Sequence, residues 1–230
     1  MAHGRLWPLP PGAIDTSMYA PRQFAETRLT VLHDLIRAHP FGTFVLAAGN
    51  ELIANHIPFM VHPTEGDKGT LRGHVSRANP VWKDVAGAGK ALAIFQGPQC
   101  YITPSWYPSK QADGKVVPTW NYAVVHAYGK ARAVADRGWL LEHVTQLTAT
   151  QEAGRAQPWR VSDAPVDYIE QMLGGIVGVE IPIARLEGKW KVNQNRGPAD
   201  RLGVVAGLEA QGTERSRAMA ALVSDRSGDA

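Results

Sequence analysis

The short links between predicted strands are the feature that most constrains this fold. Gly49-Asn50 forms the first of these links, and a stretch rich in turn residues at 62–69 forms the next. Links of this length leave no room for helical crossovers, so neighbouring strands should be antiparallel. The predicted strands lie at 43–48, 51–61, 70–75, 90–95, 99–103 and 119–134. We therefore predict a mainly β fold with peripheral helices, an antiparallel closed or split β-barrel of about six strands.

Apolar residues at helical spacing predict helices around these strands. Pro21 suits the first position of a helix that Pro40 ends. Further helices are predicted after Asn79-Pro80 and Asp136, at 165–173, and near 200–210 and 213–223, with strands at 176–186 and 190–192. No internal repeat or strong domain boundary is visible, so we predict a single domain over 18–223.

Composition limits the class of protein. Of the 230 residues, 44% are hydrophobic, which is ample for one core. Residues 1–17 lack the apolar stretch of a signal peptide and are predicted to form a flexible arm, with a flexible tail at 224–230. No apolar run reaches membrane-spanning length. The single cysteine, Cys100, excludes an internal disulfide and favours the reducing cytoplasm.

A long segment rich in aromatic residues includes the fifth predicted strand and the loop after it. The segment 97–122 combines five aromatic side chains with four prolines, and hydroxyls and amides lie between them. Rigid aromatic faces with directed hydrogen-bonding groups suit the wall around a flat ligand with polar edges. The alternative is a proline-rich loop that covers the core with its aromatics, and the residues favour neither.

Three short segments could contact a ligand. Gly73-His74-Val75-Ser76-Arg77-Ala78-Asn79-Pro80 joins a strand end to a capped helix, which supplies the hydroxyl and guanidinium donors that phosphate recognition needs. The alternative there is an ordinary helix cap at Asn79 with a solvated Arg77. The basic, amide-rich segment 188–196 suits anions and amide edges, or else forms a solvated turn. In 54–59, side chains alternate, so only one of Asn55 and His56 can face inward, and the alternative to a ligand contact there is a buried histidine with a satisfied hydrogen bond.

Other chemistry is not indicated. Gly87-Ala88-Gly89-Lys90 lacks the first glycine and the final Ser/Thr of a phosphate-binding loop, and no Gly-x-Ser-x-Gly elbow occurs. The eight histidines are dispersed, so no metal site is predicted, and Cys100 is interpreted as a packed thiol. We predict no catalytic residue.

Several motifs together resemble one family. They are His39-Pro40-Phe41-Gly42-Thr43, Ala54-Asn55-His56-Ile57-Pro58-Phe59, 73–80, Tyr101-Ile102-Thr103-Pro104-Ser105-Trp106-Tyr107, Val117-Pro118-Thr119-Trp120-Asn121-Tyr122 and Asn193-Gln194-Asn195-Arg196. In this order they resemble the PaiB family of FMN-binding negative transcriptional regulators, from about Met18 to Val223. The resemblance implies a flavin-binding split barrel, usually a homodimer with FMN at the interface.

The resemblance also implies site residues. In related split barrels a Ser-Arg pair at a strand end holds the FMN phosphate, and Ser76-Arg77 stands in that place. Where those enzymes often have a lysine next, this chain has Ala78, so a second phosphate cation comes from Lys191 or Arg196 or is absent. The predicted cofactor contacts are Asn55, His56, His74, Ser76, Arg77, Asn79, Trp120, Asn121, Lys191, Gln194 and Arg196.

The function implied is repression of protease and sporulation genes. The alternative is a flavin-dependent oxidoreductase with a nicotinamide donor, and a third hypothesis is a binding module that has lost the cofactor. A net charge of +3 falls short of a general nucleic-acid footprint, so specific DNA is a possible partner only through the regulatory role. A helix–turn–helix could be drawn over 202–223, but packing of these helices on the barrel is the default.

Overall fold

Antiparallel pairing organises the strands of this fold. The computed structural model describes residues 18–87 and 90–226. Its strands are β1 (Ala25–Glu26), β2 (Phe41–Ala48), β3 (Glu51–Pro58), β4 (Met60–His62), β5 (Thr70–Ser76), β6 (Ala91–Ile102), β7 (Thr119–Gly129), β8 (Arg132–Val134) and β9 (Ile176–Lys191). They follow the order β3-β2-β6-β7-β9-β5-β4, and β1 and β8 also pair with β9. All these pairs are antiparallel, which confirms the predicted mainly β split barrel with peripheral helices.

Helices cover the outside of the sheet. They are α1 (Leu29–Ala38), α2 (Val81–Gly87), α3 (Ser109–Asp113), α4 (Arg137–Glu152), α5 (Val166–Gly174), α6 (Pro198–Gln211) and α7 (Glu214–Asp225). Val204 and Leu208 of α6 and Met219 of α7 are buried in the same core as the barrel strands. The terminal helices therefore pack on the barrel, and α7 does not stand free as a recognition helix.

The barrel interior is filled by alternating side chains of the central strands. Phe44 and Phe59 pack edge to face with ring centroids 6.2 Å apart, and Phe59 meets Phe95 at 5.9 Å. All three rings are buried, together with Leu71 and Ile181 from the other half of the sheet. Because these neighbours come from distant parts of the chain, the core fixes the relative positions of the strand ends.

Several predicted boundaries differ from the structure. The predicted strands 90–95 and 99–103 are one strand, β6, with a register shift between Gln96 and Gln99. The segments 176–186 and 190–192 likewise form the single strand β9, whereas 119–134 divides into β7 and β8. The first helix begins at Leu29, because Ala25 and Glu26 pair with β9 before it.

Both ends of the chain extend beyond the described residues. The predicted flexible arm at 1–17 lies outside the described residues, as do residues 227–230 of the predicted tail. Helix α7 continues through Asp225, and the Arg226 guanidinium pairs with the carboxylate of Glu26. Over the described ranges, no helix is both long enough and apolar enough to cross a bilayer.

Candidate functional site

One cleft gathers residues from four separate segments. It lies where β3 and β5 end and β9 begins, has a volume of about 420 Å³, and we call it the β5 cleft. Its lining consists of Asn55, His56, Ile57, His74, Val75, Ser76, Asn79, Met172, Gly175 and Ile176. Five of the eleven predicted cofactor residues therefore share one cavity: Asn55, His56, His74, Ser76 and Asn79.

The polar groups of this cleft are held in place by local hydrogen bonds. Asn79 accepts a bond from the Val81 amide at 3.0 Å, as a helix cap does, and donates its own amide to Asn55 Oδ1 at 2.7 Å. Ser76 Oγ accepts from the Ala78 amide at 3.2 Å, which leaves the hydroxyl proton available to a ligand. Among the described residues no carboxylate lines the cleft, so it suits a ligand with anionic or acceptor oxygens.

Arg77 forms the edge of the cleft from outside its lining. Its guanidinium donates to the carbonyls of Gly174 at 2.7 Å and Ile176 at 3.1 Å, and its backbone amide donates to Gly175 O at 2.8 Å. These carbonyls follow the end of α5, where intrahelical partners run out. Arg77 thus fixes the start of β9 against the end of β5. The guanidinium is exposed and has donors beyond the two in use.

A histidine that the sequence analysis did not single out backs the cleft. His143 Nε2 lies 3.1 Å from His74 Nδ1, and the two rings meet edge to face. Burial lowers the pKa of His143 to about 4, and repulsion from His74 and His62 in their protonated forms and from Arg72 acts in the same direction. Burial also lowers the pKa of His74. At neutral pH both rings are therefore uncharged.

The position of His143 had a signal in the sequence. Leu140, Leu141, Val144 and Leu147 recur at helical spacing along α4 and predict its apolar face. In the structure Leu140 is buried and Leu141 is exposed, so the buried stripe runs through 140 and 143. A histidine three residues after a buried leucine lies on the same helix face, which could have indicated an inward-facing ring.

A second pocket holds three other predicted residues. It has a volume of about 150 Å³ and is lined by Val117, Pro118, Thr119, Asn121, Lys191, Asn193, Asn195 and Arg196; we call it the Asn121 pocket. Lys191 Nζ donates to Thr119 Oγ1 and to Trp120 O, and burial, with the charge of Lys189, lowers its pKa. Arg196 lies over the Tyr107 ring, with Cζ 4.7 Å from the centroid.

A chain of buried amides supports the Asn121 pocket. Asn121 donates to Asn193 Oδ1, and Asn193 donates to the Tyr107 hydroxyl at 3.0 Å. Asn193 has φ of 65°, a left-handed conformation that asparagine tolerates better than most residues. Gln194 turns back on its own segment, accepting from Val192 N and donating to Trp190 O. Its side chain stabilises the turn after β9.

A third and wider cleft contains Trp120. It has a volume of about 920 Å³ between β6, β7 and the start of α7. Trp120 and Tyr101 are about half exposed there, with ring centroids 6.1 Å apart, and Trp120 Nε1 donates to Gln99 Oε1. Buried Cys100 also lines this cleft, and burial raises the pKa of its thiol, as for a packed thiol.

Some aromatic side chains of the segment 97–122 cover the core, and others are exposed to a cleft. Tyr107 is buried in the core, and Trp106 lies so close to α6 that a Cβ on Gly207 would come within 2.3 Å of its ring. Tyr101 and Trp120 remain exposed to the wide cleft. The first pair covers the core, and the second pair is available to a ligand.

Taken together, the predicted residues do not form one site within a single chain. The β5 cleft lies at Ile176, the first residue of β9, and the Asn121 pocket lies at Lys191, its last. The two cavities have no lining residue in common. Over the described part of the chain, no group of three or more histidine, cysteine or acidic side chains could hold a metal ion.

Comparison with known proteins gives the family. Residues 18–185 match the family described as "Putative FMN-binding domain". The chain belongs to this family. It is 31% identical to the protease synthase and sporulation protein PAI 2 of Bacillus subtilis, across 91% of this chain and 98% of that protein. It is 36% identical to an uncharacterized protein of Emericella nidulans, across 91% and 97%. These findings confirm the resemblance to the PaiB family and, at the level of the family, FMN as the cofactor.

Solved structures confirm the fold independently. The chain is similar to the flavocytochrome Anf3 of Azotobacter vinelandii, with a TM-score of 0.55 at 15% identity over 76% of this chain and 71% of that one. It is similar to the FAD and heme binding protein of Mycobacterium smegmatis, with a TM-score of 0.55 at 18% identity over 73% of each chain. At these identities the likeness establishes the split-barrel fold alone.

Proposed function

We propose that this chain is a homodimeric FMN-binding protein of PaiB type that acts as a negative transcriptional regulator. The observation that carries the cofactor part is the gathering of Asn55, His56, His74, Ser76 and Asn79 in one cleft without a carboxylate. In this proposal the β5 cleft holds the phosphate end of FMN, with Ser76 and Asn79 as neutral donors. When bound, FMN would supply a redox-active ring.

The cofactor part is tested by titrating FMN and following its fluorescence. Loss of one hydrogen bond to a charged phosphate corresponds to roughly 1.5–3 kcal/mol, so Ser76→Ala should weaken binding about 10- to 150-fold. Ser224→Ala is the matched control, because Ser224 is an exposed serine near the end of α7. Equal FMN affinities in both variants would remove Ser76 from the site.

The homodimer part is supported by an uncovered sheet face. The outer side of β2 and β3 is apolar except for Thr43 and His56, and Phe41 and Leu52 are 66% and 78% exposed. Val45 stands opposite Ala54 on β3 and Leu92 on β6, so the apolar face continues across three strands. A face of this kind on a soluble chain marks an interaction surface, and a second copy of the same face would bury it symmetrically.

This face also reaches the cofactor cleft. Phe41 stacks on His56, with ring centroids 6.0 Å apart, and His56 lines the β5 cleft. A second copy on the face would therefore border the cleft, as the family's interfacial cofactor requires. Light scattering that gives the mass of one 25.0 kDa chain across micromolar concentrations would contradict this part.

The regulatory part is supported by the similarity to PAI 2, which extends over nearly all of that protein. The chain is only weakly cationic, at +3, so we propose that regulation acts through a specific site, a partner protein or the redox state of the flavin. Tight binding to random duplex at physiological salt, with a steep salt dependence, would contradict this route. The test is a salt titration with random duplex and with the promoters of protease genes.

One observation favours the oxidoreductase as a second candidate. The wide cleft is large and open and combines exposed aromatic rings with Glu214 and Arg215, which would suit a second flat, polar molecule. Rapid reduction of bound flavin by a nicotinamide dinucleotide without oxygen present would favour the enzyme over the regulator.

A further inference from the structure

The pair formed by His74 and His143 contains one shared proton whose position can be deduced. His74 is half-buried on β5 and lines the β5 cleft, whereas His143 on α4 is 2% exposed. His74 Nδ1 and His143 Nε2 are 3.1 Å apart, so one nitrogen donates and the other accepts. With both rings neutral, two arrangements are possible, and each fixes the tautomer of both histidines.

The first arrangement has His74 Nδ1 as the donor. His143 Nε2 would then be bare, and the single proton of His143 would have to sit on Nδ1. That nitrogen is fully buried and has no hydrogen-bond partner among the described residues. This arrangement therefore leaves an N–H group buried and unpaired, which folded proteins rarely do.

The second arrangement has His143 Nε2 as the donor. His143 Nδ1 then carries only a lone pair, and His74 accepts at Nδ1 and carries its own proton on Nε2. Both rings adopt the Nε2–H tautomer, which an imidazole side chain prefers in water, whereas the first arrangement requires the less favoured tautomer in both. Two independent arguments thus select the second arrangement.

The tautomer of His74 determines which of its ring nitrogens can donate to a ligand. Because His143 occupies Nδ1 of His74, Nε2 is the ring nitrogen left to the β5 cleft, and it makes no hydrogen bond within the described residues. We propose that His143 is a positioning residue, which holds His74 as a neutral Nε2–H donor to an acceptor oxygen of the ligand in the β5 cleft. This inference rests on the proposed function for the identity of that ligand as FMN.

The rest of the fold holds His143 in this orientation. Its ring stacks on Trp139 at 5.2 Å, and Trp139 Nε1 donates to Glu180 at 3.2 Å. A Cβ on Gly178 would come within 2.3 Å of the Trp139 ring, so the glycine lets the indole lie directly on β9. Contacts therefore run without a break from β9 through Trp139 and His143 to His74 and the β5 cleft.

The tautomers can be measured on the ligand-free protein. Long-range proton–nitrogen correlation spectra of the full chain, labelled at histidine, distinguish a protonated ring nitrogen from a bare one. We expect His74 to be protonated at Nε2 and bare at Nδ1, and in His143→Phe we expect His74 to become a mixture. A His74 protonated at Nδ1 in the wild-type chain would overturn the proposal. His143→Phe retains a ring to stack on Trp139 and removes only the donor.

Binding provides the second measurement. Loss of one positioning hydrogen bond corresponds to about a fivefold loss of FMN affinity in His143→Phe, and His143→Gln, which keeps a donor, should recover most of it. His33→Phe is the control, because His33 on α1 is another buried histidine, bonded to Lys68 O, and it does not line the β5 cleft. Unchanged affinity in a folded His143→Phe would overturn the ligand contact. If the wild-type chain itself fails to bind FMN, the proposed function fails, and the spectra alone decide whether His143 sets the tautomer.

Discussion

Acidification should destabilise this fold through His143, and the effect can be isolated by replacing that residue. The perturbation is a change from about pH 7.5 to about pH 5, in the wild-type chain and in His143→Phe. The variant keeps an aromatic ring against Trp139 but has no group that titrates. The difference between the two proteins at each pH therefore reports the titration of His143, together with any change that it causes in its hydrogen-bonded partner His74.

The sign follows from the direction of the pKa shift. In the folded chain the pKa of His143 lies at about 4, below its ordinary value of 6.5, first because the ring is buried and then because His74, His62 and Arg72 lie near it. The unfolded chain therefore binds a proton at a higher pH than the folded chain does. The contribution of His143 to stability is complete above about pH 6.5 and is lost as the pH falls towards about 4.

The magnitude follows from the same shift. One pKa unit corresponds to about 1.4 kcal/mol, so the fall from 6.5 to about 4 amounts to about 3 kcal/mol in full. Roughly 2 kcal/mol of this is lost by about pH 5. Glu26 does not interfere, because Arg28 and Arg226 hold its carboxylate pKa at about 2, and its contribution is lost only at lower pH.

Other histidines also have lowered pKa values, and charged side chains lie near the pair. Burial also lowers the pKa values of His62, His74 and His126, so the wild-type chain should lose more than the share of His143. The charged groups around the pair are Arg72 and Glu180, which are joined to each other at 3.1 Å. The more distant of these groups contribute alike to both profiles, whereas His74 is hydrogen-bonded to His143, so any change in its titration in His143→Phe is part of the measured difference.

The assay is urea unfolding at a series of pH values, with the free energy of unfolding extrapolated to water. We expect the wild-type chain to lose about 2 kcal/mol more than His143→Phe between about pH 7.5 and about pH 5. Parallel pH profiles for the two proteins would refute the reasoning, because they would show that His143 is protonated as readily in the folded chain as in the unfolded one.

Three further expectations concern other parts of the molecule. Ala54→Arg places a charge at the centre of the apolar sheet face and should shift the proposed dimer to monomers in light scattering; an unchanged mass would place the interface elsewhere. Gly178→Ala forces a Cβ to within 2.3 Å of the Trp139 ring and should lower the free energy of unfolding by about 1–3 kcal/mol in a thermal or urea melt, whereas Gly197→Ala, with open space around it, should change it little. Arg77→Ala should weaken FMN binding about 10- to 150-fold in a fluorescence titration. Arg77→Lys should recover only part of this affinity, because lysine cannot reach both carbonyls with one planar fork. Unchanged affinity in Arg77→Ala would remove Arg77 from the site.

The fold was largely predictable because its strands are joined by short links. Link length is a local property, and it indicated antiparallel neighbours before any contact was known. The start of the first helix was not predictable in this way, because Ala25 and Glu26 pair with β9 more than 160 residues later. The break predicted near Pro98 is a register shift inside β6, since a proline without an N–H is tolerated at such an irregularity.

The candidate site was predictable only in part, for a similar reason. Ser76 and Asn79 lie in one short motif, and the sequence alone placed them together. His143 lies 69 residues after His74 on a different element, and no local pattern links the two. The position of Lys191 and Arg196 relative to Ser76 depends on the course of β9, which pairs with β5 at one end and β7 at the other.

The course of β9 also matters for the second phosphate cation, because this chain has Ala78 where related enzymes often have a lysine. Lys191 and Arg196 line a pocket at the far end of β9 from the β5 cleft, and the two cavities have no lining residue in common. In the proposed dimer, we therefore expect Arg196 to act on the cofactor held by the other chain.

Co-expression of two damaged chains tests this expectation. If Arg196 acts on the cofactor of the other chain, a dimer of one Ser76→Ala chain and one Arg196→Ala chain carries both changes at one site and none at the other. Purified by two different tags, it should bind one FMN per dimer with wild-type affinity, whereas each variant alone should bind weakly at both sites. If Ser76 and Arg196 serve the same cofactor within one chain, each site of the mixed dimer has one damaged residue, and no tight site appears. The count of tight sites per mixed dimer therefore decides which subunit supplies the arginine.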